Sequence, residues 1–258
     1  MIAITAMPLW VSAVALVGVL TALAMCGPFL VRRHVDLHRL RANNEVAGFK
    51  FATLGVLYAV LLAFAVIVVW QKFDDADGAV TREAGAATTI YRLAAGIGDA
   101  AGATLRADMT DYLRTAIRDD WPAMARGMAS PAANRALDKI YADLLTYTPA
   151  DARGGAALAD ILRQLDGVTT ARRERLALAS GIVPGVMWLV LFGGALVTVG
   201  FTFFFGTENL RAQTLMTGAL SLLIFSGLFI IVAIDHPFTG AVSVEPAPLA
   251  GVLRDFAR

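Results

Sequence analysis

The sequence predicts an all-α integral membrane protein: four transmembrane helices, with a helical polar segment between spans two and three. Three observations carry this reading. Hydrophobic residues make up 57% of the 258, and charged residues only 17%, against roughly 25% in soluble domains. The deficit is concentrated in four uncharged windows, near 7–31, 51–71, 182–207 and 212–234. Each exceeds the roughly 18–20 apolar residues that cross about 30 Å of hydrocarbon as a helix.

The first window has no Lys or Arg before Arg32, whereas a secretory signal opens on a basic region. Met25 is bulky for a lipoprotein-type cleavage site ahead of Cys26. An uncleaved span is expected. Cys26 is the only cysteine, so no intrachain disulfide forms.

The second span is expected near 49–71, which makes residues 1–71 a transmembrane hairpin. Beyond it, Phe73, Ala76, Val80, Ala84, Ala87, Tyr91 and Ala94 recur every three or four residues, one face of a helix continuing out of span two. Gly96 and Gly98 should end it. A second helix carries Leu105, Met109, Tyr112, Ile117 and Trp121, with Pro122 marking a kink or stop. Ser130-Pro131 is a cap followed by a first-turn proline. It opens a third helix through Leu137, Ile140, Tyr141, Leu144 and Leu145. A fourth uses Leu158, Ile161, Leu162 and Leu165 and runs through Arg172, Arg173 and Arg175. Gly181 and Pro184 should break the entry to span three.

Residues 72–180 thus form a helical polar domain with 14 basic and 15 acidic residues. Residues 181–234 form a second transmembrane hairpin, and 235–258 a tail. So much alanine gives the polar domain a thin core, which favours packing between copies. No stretch alternates like a hairpin of strands.

Basic residues near span ends orient membrane proteins. The 32–48 loop holds Arg32, Arg33, Arg39 and Arg41, with Lys50 and Arg211 on the same side. The other side holds Lys72, Arg82, Arg163, Arg172, Arg173, Arg175, Arg254 and Arg258. The denser short loop would place the polar domain outside.

The net charge of +1 offers no basic surface for nucleic acid. His34 and His38 share a helix face but lack a third ligand, so no metal site is expected. Gly96-Ile97-Gly98 follows no strand and is no nucleotide loop. No metalloprotease, nucleophile-elbow or phosphate-loop pattern occurs, so no cofactor and no enzyme activity are expected. No span has a charge at its centre, which disfavours a proton-coupled transporter.

Span two is the most informative element. Gly48, Ala52, Gly55, Ala59 and Ala63 fall on one stripe about 80° wide. Such a stripe lets helix backbones approach closely, the reading applied to Gly48 and Ala63. The opposite face carries Lys50, Leu54, Leu57, Leu61, Phe64 and Val68. In an oligomer, one stripe would pack and the other face a conduit, so Ala52, Gly55, Leu57, Ala59, Leu61 and Phe64 are candidate pore-lining residues. An apolar constriction gates by dewetting. Asn44, Glu45 and Lys50 in the 43–50 segment, Asp74 and Asp75 after Trp70, and Asp235 after span four are candidate vestibule or ion-contact residues. Each has a structural alternative: a capped helix start, a solvated face, a cap.

Three stretches together resemble the bestrophin-like domain family of bacterial membrane proteins: NEVAGFKFATLGVLYAVLLAFAVIVVWQKFDDAD over residues 44–77, Asp120-Trp121-Pro122, and Asp235 to Gly240, DHPFTG. The resemblance spans roughly residues 40–250. More distantly it extends to true bestrophins, pentameric anion channels with four spans per subunit. In those, span two lines the pore and a large helical cytoplasmic segment separates spans two and three. The resemblance therefore implies a homo-oligomeric, pentameric channel for small anions in the bacterial inner membrane. It implies a cytoplasmic polar domain, against the charge of the 32–48 loop. The bulky neck of bestrophins is approximated only by Leu57, Leu61 and Phe64. Their acidic calcium clasp has no match, so calcium gating is not implied. The alternative is a non-conducting membrane scaffold or sensor whose middle helices bind a partner.

Overall fold

The computed structural model describes residues 8–42 and 44–257. Met7, Asn43 and Arg258, which figure in the expectations above, lie outside them. Ten α-helices organise the described residues: α1 (Leu9–His34, with a π-turn at Val14–Val19), α2 (Leu37–Ala42), α3 (Asn44–Leu93), α4 (Asp99–Thr115), α5 (Trp121–Met124), α6 (Pro131–Thr146), α7 (Ala152–Leu178), α8 (Gly185–Thr202), α9 (Leu210–Ile234) and α10 (Ala247–Phe256). No strand occurs among the described residues. Four helices are long and apolar enough to cross a membrane: α1, α3, α8 and α9.

The chain divides into two compact units. One comprises the described residues of Met1–Gln71, Ile182–Asp235 and Gly240–Val242. The other comprises Lys72–Gly181, His236–Thr239 and the described residues of Ser243–Arg258.

In the first unit α9 is central. Half of its most apolar window is buried, against 17% for α3, so α3 keeps most of its surface free. Glycines on α1, α8 and α9 make the close approaches. A Cβ on Gly194 would lie 2.6 Å from the Tyr58 ring, one on Gly218 2.9 Å from Met25 Sδ, and one on Gly227 2.8 Å from Leu62 Cδ2. The Phe203 ring occupies the space a side chain at Gly27 would need. α8 ends at Thr202, five residues before the end of the uncharged window. Phe203 and Phe204 close it with bonds to carbonyls three residues back, which tightens the last turn.

In the second unit the apolar stripes expected from the sequence form the core. Ala76, Val80, Ala84, Ala87, Met109, Tyr112, Ile140, Ile161 and Leu165 are all buried, and Ile90 and Leu113 join them. Leu145 departs from the expectation and is 74% exposed. α3 gives way to a 3₁₀ turn at Ala94–Ile97, and Gly98 has φ +91°, a left-handed conformation that glycine adopts without strain. The chain then doubles back so tightly that a Cβ on Gly102 would collide with the Ala94 carbonyl. Ser130 caps α6 as expected, its Oγ accepting from the Ala132 and Ala133 N–H groups. Pro122 does not end the second helix. A π-turn at Ala116–Asp120 follows α4, and Pro122 lies in the first turn of α5. The tail contains α10, held by stacking of Phe256 on Tyr91.

Candidate functional site

The membrane-type part of α3 has one packed face and a wide free surface. Tyr58, Ala65 and Val69 are buried. The Tyr58 hydroxyl donates to the Leu191 carbonyl at 3.0 Å, tying α3 to α8. The small-residue stripe lies roughly 100° to one side of this face. A Cβ on Gly48 or Gly55 would meet nothing within 4 Å, and Ala52, Ala59 and Ala63 are exposed. The stripe therefore makes no close helix contact with the other described residues. The bulky stripe lies roughly 90° to the other side. Leu57 and Phe64 are 66% and 64% exposed, Lys50 is exposed and Leu61 half-buried. Leu61, Phe64 and Val68 border an apolar recess of about 330 Å³ completed by Pro184, Met187 and Leu191. Between the stripes, on the outermost face, lie Phe49, Val56, Val60 and Ile67, all exposed. The two-stripe reading missed this third face. Val56, Val60 and Phe64 follow one another at four-residue intervals, a spacing visible in the sequence.

The polar candidates fall into two groups. Glu45, Asp74 and Asp75 are exposed, and Asp75 pairs with Lys72 at 3.0 Å. Asn44 and Asp235 instead brace the fold. Asn44 Nδ2 donates to the Gly206 carbonyl at 2.8 Å, and its Oδ1 accepts from the Gly206 N–H at 2.9 Å. Asp235 Oδ1 accepts from the N–H groups of Ile182 and Val183, at 3.1 and 2.7 Å. It thereby caps the approach to α8, just after the left-handed Gly181.

The second unit contains a charged cluster that the sequence reading did not assemble. Arg175 is fully buried and donates to both oxygens of Glu83, at 2.8 and 3.1 Å, and to Asp120 Oδ2 at 3.3 Å. Arg172 donates to both Asp120 oxygens, at 2.8 and 3.1 Å, and to Asn134 Oδ1 at 2.6 Å. The Tyr112 hydroxyl donates to Glu83 Oε1 at 2.6 Å. Burial, with the Glu83 charge beside it, pushes the Tyr112 phenol well above its ordinary pKa. Two arginines thus balance two carboxylates, the condition for burying charge. Trp121 covers the cluster, with the Arg175 guanidinium 4.5 Å from its ring centroid. Trp121 in turn meets Phe238 edge-on and donates from Nε1 to the Val244 carbonyl.

Arg172 and Arg175 therefore serve the interior of the helical unit. Both are buried and paired, so they are not free charges at the span end. The sequence did hold a signal: Leu165, Val168, Arg172 and Arg175 continue one buried face at spacings of three and four. Glu83 likewise interrupts the apolar face of α3. Among the described residues no group of three His, Cys, Asp or Glu side chains is placed to hold a metal.

Comparison with known proteins gives this arrangement a family. No curated relative matches the chain. Two crystal structures of a bacterial bestrophin homologue from Klebsiella pneumoniae, each carrying one mutation, share the fold. One is 16% identical, covers 94% of this chain and 99% of its own, and superposes with a TM-score of 0.73. The other is 15% identical, covers 93% and 97%, and gives 0.72. At such identity the likeness concerns the fold alone. The Bestrophin-like domain matches residues 18–249, nine-tenths of the sequence, and the chain belongs to the Bestrophin-like domain family.

Proposed function

We propose that this protein is a homo-oligomeric ion channel that passes small anions, with α3 lining the pore. The observation that carries this is the free surface of α3. Only one face of its apolar half is packed in the chain, and the remainder is apolar and uncharged from Phe51 to Gln71. Several copies brought together would cover that surface. The small-residue stripe of Ala52, Gly55, Ala59 and Ala63 suits a tight seam between neighbouring copies. Leu57 and Phe64, with Val56 and Val60 on the adjoining outermost face, suit an apolar constriction that conducts when wetted. Lys50 shares the side of Leu57 and Phe64, about two turns before Leu57 and about four before Phe64, and supplies a positive charge where anions would enter.

In this reading residues 1–71 and 181–234 are the two transmembrane hairpins of an inner-membrane protein, 72–180 the helical domain and 235–258 its tail. The likeness to bestrophins supports a pentamer. The protein needs no cofactor and is not an enzyme.

Purified full-length protein, sized in detergent and fused into planar bilayers, tests the proposal. A pentamer-sized particle carrying anion currents that grow several-fold in Phe64→Ala is expected. Well-folded oligomers that stay silent, with or without that substitution, would overturn it and favour a non-conducting scaffold.

A further inference from the structure

The arginines of residues 32–41 take no part in the conduction reading, and they stand beside a cavity that it leaves unused. α2 lies against the connection from α8 to α9. A Cβ on Gly206 would sit 2.7 Å from the Arg41 backbone nitrogen and 2.8 Å from Leu40 Cβ. Arg32 Nη1 donates to the Thr207 carbonyl at 2.7 Å. Arg41 pairs with Glu208 at 2.6 Å, and Asn44 clasps Gly206 from both sides. This layer borders a cavity of about 390 Å³. Phe51, Phe205, Met216 and Leu220 make its apolar part, while Thr207 and Gln213 bring polar groups to it. Gln213 Nε2 donates to the Phe205 carbonyl at 2.6 Å, so that polar edge is fixed in place.

The charge here is lopsided. Residues 32–50 and 208–211 hold six basic side chains against three acidic ones. Arg33, Arg39 and Arg211 are exposed, and none of the three has an ion pair among the described residues. Guanidinium groups bind phosphate oxygens in paired hydrogen bonds, and basic clusters beside a membrane helix recognise anionic headgroups. An apolar cavity next to such a cluster, at the end of helices that cross hydrocarbon, matches a molecule with a chain on one side and a phosphate on the other.

We propose that this end of the membrane unit is a binding site for an anionic phospholipid. One acyl chain enters the cavity between Phe51, Phe205 and Met216, and the headgroup phosphate sits on Arg33, Arg39 and Arg211. The site is independent of whether the protein conducts.

Native mass spectrometry of the full-length protein in detergent tests this, with phosphatidylglycerol and phosphatidylcholine of identical chains as probes. Wild type is expected to retain phosphatidylglycerol at about tenfold lower concentration than phosphatidylcholine. Arg33→Gln/Arg39→Gln/Arg211→Gln should lose that preference, with an unchanged gel-filtration profile and unchanged phosphatidylcholine binding. Met216→Trp, which fills the cavity, should weaken both lipids. Equal retention of the two lipids by wild type would overturn the proposal without any variant. A preference that survives the triple substitution, or lipid retention indifferent to Met216→Trp, would overturn the site. Displacement of phosphatidylglycerol by an equal concentration of inorganic phosphate would mark a free-anion site instead.

Discussion

Arg175 holds Glu83 through two roughly parallel hydrogen bonds, Nε to Oε2 at 2.8 Å and Nη2 to Oε1 at 3.1 Å, and neither side chain is exposed. Glu83 belongs to α3, the helix whose earlier turns cross the apolar window, and Arg175 to α7. Asp120, on the π-turn, receives both Arg172 and Arg175. Three elements of the helical unit therefore share one neutral set of four charges. Removing one member leaves a partner charged, dry and unmatched.

Such a loss costs about 3–5 kcal/mol when a buried pair is broken from one side. Arg175→Met should lower the thermal midpoint of the full-length protein sharply, and Glu83→Leu should do the same. Glu83→Leu combined with Arg175→Met should cost less than the two single losses together, because neither leaves the other stranded. Thermal unfolding followed by circular dichroism measures all of these. Additive single and double effects would contradict the coupling.

Tyr112 makes the same cluster sensitive to alkali. Its phenol is held well above its ordinary pKa, by burial first and by the Glu83 charge next. Below about pH 10, where an unfolded tyrosine begins to ionise, its contribution to stability is complete. Above that pH the unfolded chain loses the proton that the folded one keeps, so stability falls as pH rises. Tyr112→Phe should remove this part of the alkaline loss. At neutral pH it should cost about 1–3 kcal/mol, because Glu83 Oε1 loses a donor. The difference between wild-type and variant melting curves from pH 8 to pH 11 isolates the effect from other groups. A parallel pair of curves would contradict it.

Apolar periodicity carried most of the helical unit into view. Ala76, Val80, Ala84 and Ala87 were legible as one buried face because a helix repeats every 3.6 residues. Ser130-Pro131 was legible because capping is local chemistry. The Glu83–Arg175 pair was not, since 92 residues separate the partners and single-sequence patterns carry no pairing information. In the membrane unit, length and apolarity marked the helices but could not say which face packs. From Phe51 to Trp70 α3 is almost wholly apolar, so the contrast that reveals a buried face in water is missing. The Tyr58 ring seated against Gly194 settled it. The small-residue stripe, the most conspicuous pattern in the sequence, makes no close contact with the other described residues.

The cap at Asp235 admits a graded test. Its Oδ1 accepts two backbone N–H groups, and the residue is 2% exposed. Asp235→Ala removes the acceptor altogether and leaves both donors to find others, at about 1–3 kcal/mol for each buried group left unsatisfied. Asp235→Asn keeps a carbonyl oxygen in the same place and should cost about half as much. Thermal midpoints in detergent should rank wild type above the asparagine variant, and that above the alanine variant. An alanine variant as stable as wild type would contradict the cap.

Gly194 and Gly55 separate contacts inside one chain from contacts between copies. A Cβ on Gly194 would lie 2.6 Å from two carbons of the Tyr58 ring, whereas one on Gly55 meets nothing within 4 Å. Gly194→Ala must push back a ring whose hydroxyl is tied to the Leu191 carbonyl. It should destabilise the folded chain by about 1–3 kcal/mol, the usual cost of overpacking. Gly55→Leu meets no such obstacle, so each chain should fold as before. If the stripe of Ala52, Gly55 and Ala59 is the seam between neighbours, the larger side chain holds the backbones apart. Light scattering in detergent should then show the Gly55→Leu protein as smaller particles, while its helical content matches wild type. The Gly194→Ala protein should melt earlier but, where folded, assemble to the wild-type size. Wild-type particles from Gly55→Leu would move the seam elsewhere on α3, and the outermost face of Val56, Val60 and Ile67 would be next to test.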